Sequence, residues 1–221
     1  MGNLSRFDVL EELVQFLRNQ DVLTITVRGV TTTTENGTFA SDSTHLIADS
    51  QIKNIRSITR GTLLVLGTDY TYDTDFDDSG TKKTKITFTS AQTGSYTIIY
   101  DTGPDKIFPD FPKDNLSISS YPRIAVDIIN MGSEDLGFGN QKVASSTDIF
   151  FTVVVYANKT KIVNQTLDLI RDAFLTSQNG FVNLSIITPT DSGPMINDNS
   201  TKNEIVHANM DYVSSLNVEK I

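Results

Sequence analysis

The chain has 221 residues, contains no cysteine and carries a formal net charge of −9. The lack of cysteine excludes disulfides, thiolate metal sites and cysteine nucleophiles. The acidic balance, without any basic run, argues against sequence-directed binding of nucleic acid. The first residues are polar and acidic, and no run of about 18 apolar residues occurs, so we expect neither a signal peptide nor a membrane span.

The N-terminal segment predicts a helix followed by a strand. Apolar residues at helical spacing predict the helix over residues 5–19. These residues are Leu10, Leu13, Val14 and Leu17. Alternation of apolar residues with threonine then predicts a strand over residues 22–30. The polar stretch over residues 31–45 lacks helical or strand-like periodicity, and we interpret it as a linker.

An inserted β-rich module is predicted between the two halves of the chain. Short alternating segments between residues 52 and 101 predict a small antiparallel β module. Three prolines within residues 103–115 predict a stiff return linker. We therefore expect an inserted domain over residues 31–115, with linkers at both ends.

The second half of the chain has a different pattern. Residues Ile124, Val126 and Ile128 place one apolar face on a predicted strand. A long glycine-bearing loop is expected over residues 131–147. The nearly continuous apolar run at residues 148–157 predicts a central strand that is covered on both faces.

The C-terminal part predicts one more helix and two more strands. The helix is expected over residues 159–176, and the strands over residues 181–188 and 204–218, with a polar loop between them. Residues 1–30 and 116–221 together are expected to form one core. The predicted fold class is α+β: a two-layer antiparallel sheet with two main helices, plus an inserted all-β, sandwich-like domain.

No pattern of residues predicts catalysis. The chain has two histidines, His45 in the polar stretch and His207 on a strand beside Asn209 and Asp211. An exposed strand face is the simpler interpretation of His207, because a metal or acid–base site needs partners that the sequence does not show. Phosphate loops, nucleophile elbows and zinc-binding helix motifs do not occur. We expect no enzymatic activity and no cofactor.

One acidic run suggests a weak metal site. Asp73, Asp75 and Asp77 precede Gly80, as carboxylates do in a calcium loop, but the EF-hand pattern fails because its twelfth position is Thr84. The run could bind Ca²⁺ weakly or form a solvated hairpin tip.

Four tyrosines alternate on the predicted strands of the insertion. They are Tyr70, Tyr72, Tyr96 and Tyr100. We interpret them as the core and faces of the inserted module, and a sugar-stacking platform is the alternative.

Five segments of the predicted core occur in an order that resembles one family. They read RFDVLEELVQFLRNQDVLTI, SYPRIAVDII, DIFFTVVVYA, KTKIVNQTLDLIRDAFL and HANMDYVSSLNV. This order resembles the tail terminator, or tail completion, proteins of long-tailed viruses, over roughly residues 4–30 and 118–218. The insertion departs from the family's small version, but its strand pattern is similar to β modules of virion tail and fibre proteins.

The resemblance implies a virion structural protein. Such a protein forms a homohexameric ring at the head-proximal end of the tail tube, ends tube polymerisation and joins the tail to the head. Its implied partners are other copies of itself, the tail tube protein and the head-completion or connector protein. DNA would pass through the lumen without specific contacts. The implied location is the tail or neck of the virion, after assembly in the host cytoplasm.

The expected loop carries the candidate contacts of the ring or lumen. They are Glu134, Asp135, Phe138 and Gly139. A solvated flexible hairpin is the alternative interpretation of this loop. Two other functions stay open: a tube- or sheath-type tail subunit, and a carbohydrate-binding or adhesion module that uses the insertion. The insertion is expected outside the ring, because its boundaries fall in polar segments.

Overall fold

The computed structural model describes residues 6–47, 52–109, 121–138, 141–176, 181, 184–198 and 205–218. In chain order its elements are α1 (Arg6–Asn19), α2 (Ile25–Arg28), β1 (Thr31–Ile47), β2 (Ile52–Arg60), β3 (Thr62–Leu64), β4 (Tyr70–Asp78), β5 (Thr81–Thr102), β6 (Ile107–Pro109), β7 (Arg123–Phe138), β8 (Gln141–Ala157), α3 (Thr160–Thr176), β9 (Ile187–Ser192), β10 (Ile196–Asp198) and β11 (Ile205–Val218). They fall in two compact units. The first unit comprises Met1–Leu23 and Lys106–Ile221, and the second comprises Thr24–Asp105.

The expected α+β class, with a two-layer sheet and two main helices beside an inserted all-β domain, is wrong. The described residues form eleven strands in two sheets and three helices, so the fold is mostly β. Two polar segments account for the difference, because the expected linker lies in β1 and the expected loop lies in β7 and β8. Their threonine, serine and asparagine residues are typical of turns, but their backbone groups pair with strands that local sequence does not reveal.

The strand predicted over residues 22–30 is also wrong, because its centre forms the short helix α2. The Thr24 side chain caps this helix by accepting a hydrogen bond from the Val27 backbone N–H at 3.3 Å. Gly29 ends the helix in the left-handed region, at φ 74°. The Arg28 side chain is fully buried. A tertiary requirement, the placement of Arg28, therefore overrides the alternating pattern.

Sheet B, the six-stranded sheet of the first unit, has β8 near its centre. Its strand order is β10–β11–β8–β7–β6, and β9 also pairs with β11. The pairing of β6 with β7 is parallel, and the other pairings among the described residues of this sheet are antiparallel. Residues 151–155 of β8 are all buried, which confirms the predicted central strand covered on both faces.

Two helices pack on sheet B through an aromatic cluster. The Phe174 ring of α3 lies 5.3 Å from the Phe16 ring of α1, 5.8 Å from the Phe151 ring of β8 and 4.9 Å from the Tyr212 ring of β11. Burial raises the pKa of Tyr212 far above its usual value. The predictions of helices over residues 5–19 and 159–176 are confirmed by α1 and α3.

The strands predicted near the C-terminus are displaced in the structure. Residues 184–186 lie outside any strand, and β9 begins at Ile187 inside the segment expected to be a strand. Both β9 and β10 extend into the stretch expected to be a polar loop. The expected proline-rich linker likewise contributes β6, which pairs with residues 124–126 of β7.

Sheet A, the five-stranded sheet of the second unit, folds back on itself. Glu35 and His45 are ten positions apart on β1, where a straight strand would separate them by about 33 Å. Their side chains nevertheless approach to 2.7 Å. The turn falls at register shifts between Ala40 and Thr44, where Ser41 has a φ of 80°. The bent β1–β5 ribbon therefore forms two layers.

The two layers enclose one apolar core. Its buried members are Phe39, Ile47, Ile52, Ile55, Ile58, Tyr70, Ile86, Phe88, Ile98 and Tyr100. Tyr72 and Tyr96 are partly buried against it. The interpretation of the four tyrosines as core and faces of this unit is confirmed by this burial. Tyr70 and Tyr100 therefore cannot serve as a surface platform.

The bend also requires a glycine beside Tyr96. A Cβ atom at Gly37 would lie 2.6 Å from the Tyr96 ring, well inside contact distance. We expect Gly37→Ala to destabilise the second unit by about 1–3 kcal/mol, because a packed ring must move. Urea unfolding would measure this loss. Gly132→Ala is the control, since its Cβ would meet nothing within 4 Å, and an equal loss in both variants would contradict the prediction.

Candidate functional site

Sheet B has one face against the helices and one face turned away from them. Phe151 and Tyr212 face α3, so their sequence neighbours Thr152 and Asp211 point the opposite way. We call this opposite side the outer face. It carries the even positions of β8, the odd positions of β11 and the odd positions of β7 up to the bulge after Ile128.

One end of the outer face is cationic and aromatic. Arg123, Tyr156 and His207 are paired across three strands. The Arg123 guanidinium lies 5.4 Å from the centre of the Phe108 ring, and the Tyr156 and His207 rings are 5.3 Å apart. Burial lowers the pKa of Arg123. Burial and the Arg123 charge lower the pKa of Lys106.

The next polar row is acidic. Asp127, Thr152 and Asp211 are paired directly across β7, β8 and β11. The Asn209 side chain donates a hydrogen bond to Asp211 Oδ1 at 3.0 Å. The pairing places His207, Asn209 and Asp211 on the same side of β11, as their alternation predicts. Thr152 is only 7% exposed, and its hydroxyl has no hydrogen-bond partner among the described residues.

The far end of the outer face is apolar and leads into a long hairpin. Ile129, the residue skipped at the bulge, is 57% exposed, and Phe150 is 38% exposed. Val213 is paired with Phe150 and is half-buried. We call Ile129, Phe150 and Val213 the apolar strip. Beyond it, β7 and β8 continue as a two-stranded ribbon to the Phe138–Gln141 pair.

The candidate contacts predicted in a loop lie on this ribbon. Glu134 is paired with Ser146, and Asp135 with Ser145. Phe138 is the last described residue of β7, and Gly139 lies outside the described residues. The predicted loop is wrong as secondary structure, because residues 131–138 and 141–147 form paired strands. The two polar strands are paired through their backbones. Their sequences lack the apolar alternation that predicts a strand.

The ribbon also leaves a sheet edge open. Among the described residues, β7 pairs with β6 at Ile124, Ala125 and Val126. From Ile129 to Phe138, the side of β7 that faces away from β8 has no strand partner among the described residues. Such an edge presents unpaired N–H and C=O groups that favour strand addition.

The acidic run considered for calcium lies along a charge-paired hairpin. Asp73 is paired with Lys85, and Asp77 with Lys82, across β4 and β5. Asp77 Oδ1 accepts a hydrogen bond from the Gly80 N–H at 2.6 Å. Asp75 occupies the register shift between Asp73 and Phe76. The paired lysines on the neighbouring strand offset the charges of Asp73 and Asp77.

His45 lies in a small polar cluster at the bend of sheet A. Glu35 Oε1 is 2.7 Å from His45 Nε2 and accepts a hydrogen bond from the Tyr96 hydroxyl at 2.9 Å. Burial, followed by the hydrogen bond and charge of Glu35, raises the pKa of Tyr96 to about 12. A phenol that stays neutral at physiological pH can hold Glu35 in place. This cluster joins the two arms of the bent ribbon.

One buried ionic network was not predicted from the sequence. The Arg28 guanidinium lies 3.2 Å from Asp101 and donates to Asp105 at 3.1 Å through Nε. Asp101 also accepts from Arg56 at 2.7 Å and from Thr32 at 2.8 Å. The two residues of each pair are more than 40 positions apart along the chain, so no local motif predicts the network. The network joins the two ends of the second unit.

The described ranges contain neither a cluster of metal-ligating side chains nor a helix suited to a membrane. Groups of three or more histidine, cysteine, aspartate or glutamate side chains that could hold a metal ion are absent there. In that same part of the chain, no helix has the length and hydropathy to cross a membrane.

No protein-family model matches the chain. No curated protein matches it significantly either.

Proposed function

We propose that this chain is a virion structural protein that forms a ring at the head-proximal end of a tail tube. There it ends tube polymerisation, contacts the head connector and surrounds the passing DNA. The order of the sequence segments within residues 4–30 and 118–218 resembles that of the tail terminator proteins. The observation that carries the proposal is the open edge of β7 beside the apolar strip.

The open edge favours contact with another chain. From Ile129 to Phe138 it offers backbone groups of both polarities to a neighbour. An edge of this length invites strand pairing unless something covers it. A head-to-tail contact between one edge and a different surface of the next copy generates a ring when the rotation closes.

The apolar strip adds a hydrophobic contribution to the same contact. Ile129 and Phe150 together expose large apolar side chains at the base of the ribbon. Fully burying one such side chain stabilises a contact by about 1.5–3 kcal/mol. A ring repeats this gain at every interface, so weak single contacts can still hold the assembly together.

The charge of the chain suits a DNA-conducting channel. Each copy carries a formal net charge of −9. A ring of acidic subunits repels phosphate groups and so lets DNA move without being gripped.

Substitution of the apolar strip is expected to abolish ring formation. In Ile129→Glu/Phe150→Glu, two exposed apolar side chains become carboxylates, which leaves the buried core intact but disfavours burial at an interface. Negative-stain electron microscopy and light scattering after size exclusion would measure the assembly. We expect closed rings for the unmodified protein and single subunits for the variant.

The matched control is Leu63→Glu. Leu63 is 64% exposed and belongs to the second unit, which is expected to lie outside the ring. This variant should assemble like the unmodified protein. A monomeric unmodified protein that is absent from purified virions would contradict the proposal, and long polymers would favour the tube-type alternative instead.

A further inference from the structure

The strands β9 and β10 together form one edge of sheet B. β10 pairs with residues 205–207 of β11, and β9 pairs with residues 210–214 of the same strand. Because β8 occupies the other side of β11 at these positions, β9 and β10 lie one after the other on the same side. We call residues 187–198 the β9–β10 edge. Within the described part of the chain, no strand pairs with its far side.

The β9–β10 edge and the open edge of β7 lie on opposite sides of one sheet and run in opposite directions. β9 and β10 are antiparallel to β11, β11 is antiparallel to β8, and β8 is antiparallel to β7. In a ring whose axis lies roughly along the strands, each copy therefore presents β7 antiparallel to the β9–β10 edge of its neighbour. Antiparallel pairing is the more stable kind of ladder. A contact between two different edges is also heterologous, which is the type of contact that generates rings.

An exposed isoleucine on the β9–β10 edge matches the apolar strip. Ile196 is 47% exposed and is paired with His207, so its side chain lies on the outer face. Phe150 and Val213 of the apolar strip lie on the same face and are paired with each other. Along β11, Val213 lies six positions beyond His207. A stagger of about six residues between neighbouring copies would therefore bring Ile196 of one copy beside the apolar strip of the next.

The tilt of strands in a closed sheet supplies a stagger of this size. Strands in closed sheets tilt by about 35–45° from the axis. Four strand spacings separate equivalent strands of neighbouring copies: β10 to β11, β11 to β8, β8 to β7, and the new contact. At about 4.8 Å per spacing, this tilt shifts the next copy by about 13–19 Å along the strands, or about four to six residues. Ile196 of one copy then lies beside Ile129 and Phe150 of its neighbour, and β9 follows the ribbon toward Phe138.

We propose that the β9–β10 edge receives the open edge of β7 from the next copy of this chain, with Ile196 packed against Ile129 and Phe150. This inference rests on the proposed ring and names its second contact surface. The partner is a second copy because one chain carries both halves of the contact. Each half has an open edge of opposite direction with exposed apolar side chains beside it.

Site-directed cross-linking tests the contact, because the chain contains no native cysteine. Ile129→Cys/Ile196→Cys, treated with a short bis-maleimide, should give covalent oligomers up to the full ring on denaturing gels. Each single variant should stay uncross-linked, since a heterologous contact brings residue 129 to residue 196 and neither residue to its own copy. An equal mixture of the two single variants should give covalent dimers and nothing larger.

A charge substitution separates this inference from the ring itself. Ile196→Glu should raise the protein concentration at half-assembly by at least about tenfold, because the contact loses a buried apolar side chain. Leu169→Glu is the matched control, since Leu169 is 54% exposed on α3 rather than on a sheet edge, and it should assemble like the unmodified protein. Circular dichroism would verify that each variant is folded.

The possible outcomes distinguish a wrong contact from a wrong function. Rings that assemble normally with Ile196→Glu, and in which residues 129 and 196 do not cross-link, overturn the inference and leave the proposed ring intact. Covalent dimers of either single variant indicate a symmetric contact and overturn the inference as well. Unmodified protein that never assembles overturns both the ring and this contact.

Discussion

Replacing Asp101 with alanine is expected to destabilise the second unit by about 3–5 kcal/mol. The Asp101 and Arg28 side chains are both fully buried and lie 3.2 Å apart. Asp101 also accepts from Arg56 at 2.7 Å. Its removal takes one carboxylate away from the guanidinium groups of Arg28 and Arg56. Because Arg28 is fully buried, water cannot solvate its charge in place of that carboxylate. Urea unfolding would measure the loss, and hydrogen exchange would locate it in the second unit.

The control for this prediction is an ion pair at the surface of the same unit. Asp78 and Lys83 lie 2.5 Å apart, with the two side chains about a third exposed. Exposed pairs contribute about 0–1 kcal/mol, because water and side-chain entropy offset the attraction. Asp78→Ala should therefore change the unfolding midpoint little. Equal losses in Asp101→Ala and Asp78→Ala would show that burial does not set the energy of the network.

Truncating Phe174 is expected to be comparably severe in the first unit. The Phe174 side chain is fully buried and contacts the rings of Phe16, Phe151 and Tyr212. Phe174→Ala should cost about 3–5 kcal/mol, from lost apolar transfer and from the cavity left between the helices and the sheet. Thermal unfolding and hydrogen exchange in α1 and β8 would report it.

Leu175 provides the comparison one residue further along α3. It is 45% exposed, so Leu175→Ala removes little buried area and should cost less than about 1 kcal/mol. Phe174→Leu should fall between the two, because leucine fills part of the cavity. Similar stability of Phe174→Ala and Leu175→Ala would mean that α3 does not pack as described.

The two long helices and the central strand were predictable because their signals are local. Val163, Leu167, Ile170 and Phe174 recur at helical spacing along α3, and all four are buried. The run from Phe151 to Val155 is apolar without interruption, which is typical of a strand covered on both faces. In each case the residues that define the pattern are the residues that fill the core.

The polar strands were not predictable in this way. β1 consists mostly of polar residues, and most of its side chains are exposed or half-buried. Its pairing partners on β5 lie 37 positions further along the chain at the Ile47–Thr84 pair and 71 positions further at the Thr31–Thr102 pair. The ribbon over residues 131–147 has the same character. Strand formation there depends on a partner strand elsewhere in the chain, and intrinsic propensity alone predicts turns for such segments.

The candidate site, too, was predictable from the sequence only in part. Alternation in β11 placed His207, Asn209 and Asp211 on one side of a strand. Only the register brings Asp127 and Asp211 to either side of Thr152, because these residues come from three strands far apart in the chain. The acidic run of β4 stood out in the sequence, yet its charges face lysines across the hairpin.

By itself, the sequence determined the absence of cysteine chemistry, the acidic charge, the two amphipathic helices and the buried central strand. Those features depend on composition or on periodicity within a single segment. Tertiary structure alone decided the mostly β fold, the helix at Ile25–Arg28, the bend of sheet A and the open edge of β7. The physical reason is that backbone pairing and buried charge pairs are energies between distant residues, and no local pattern records them.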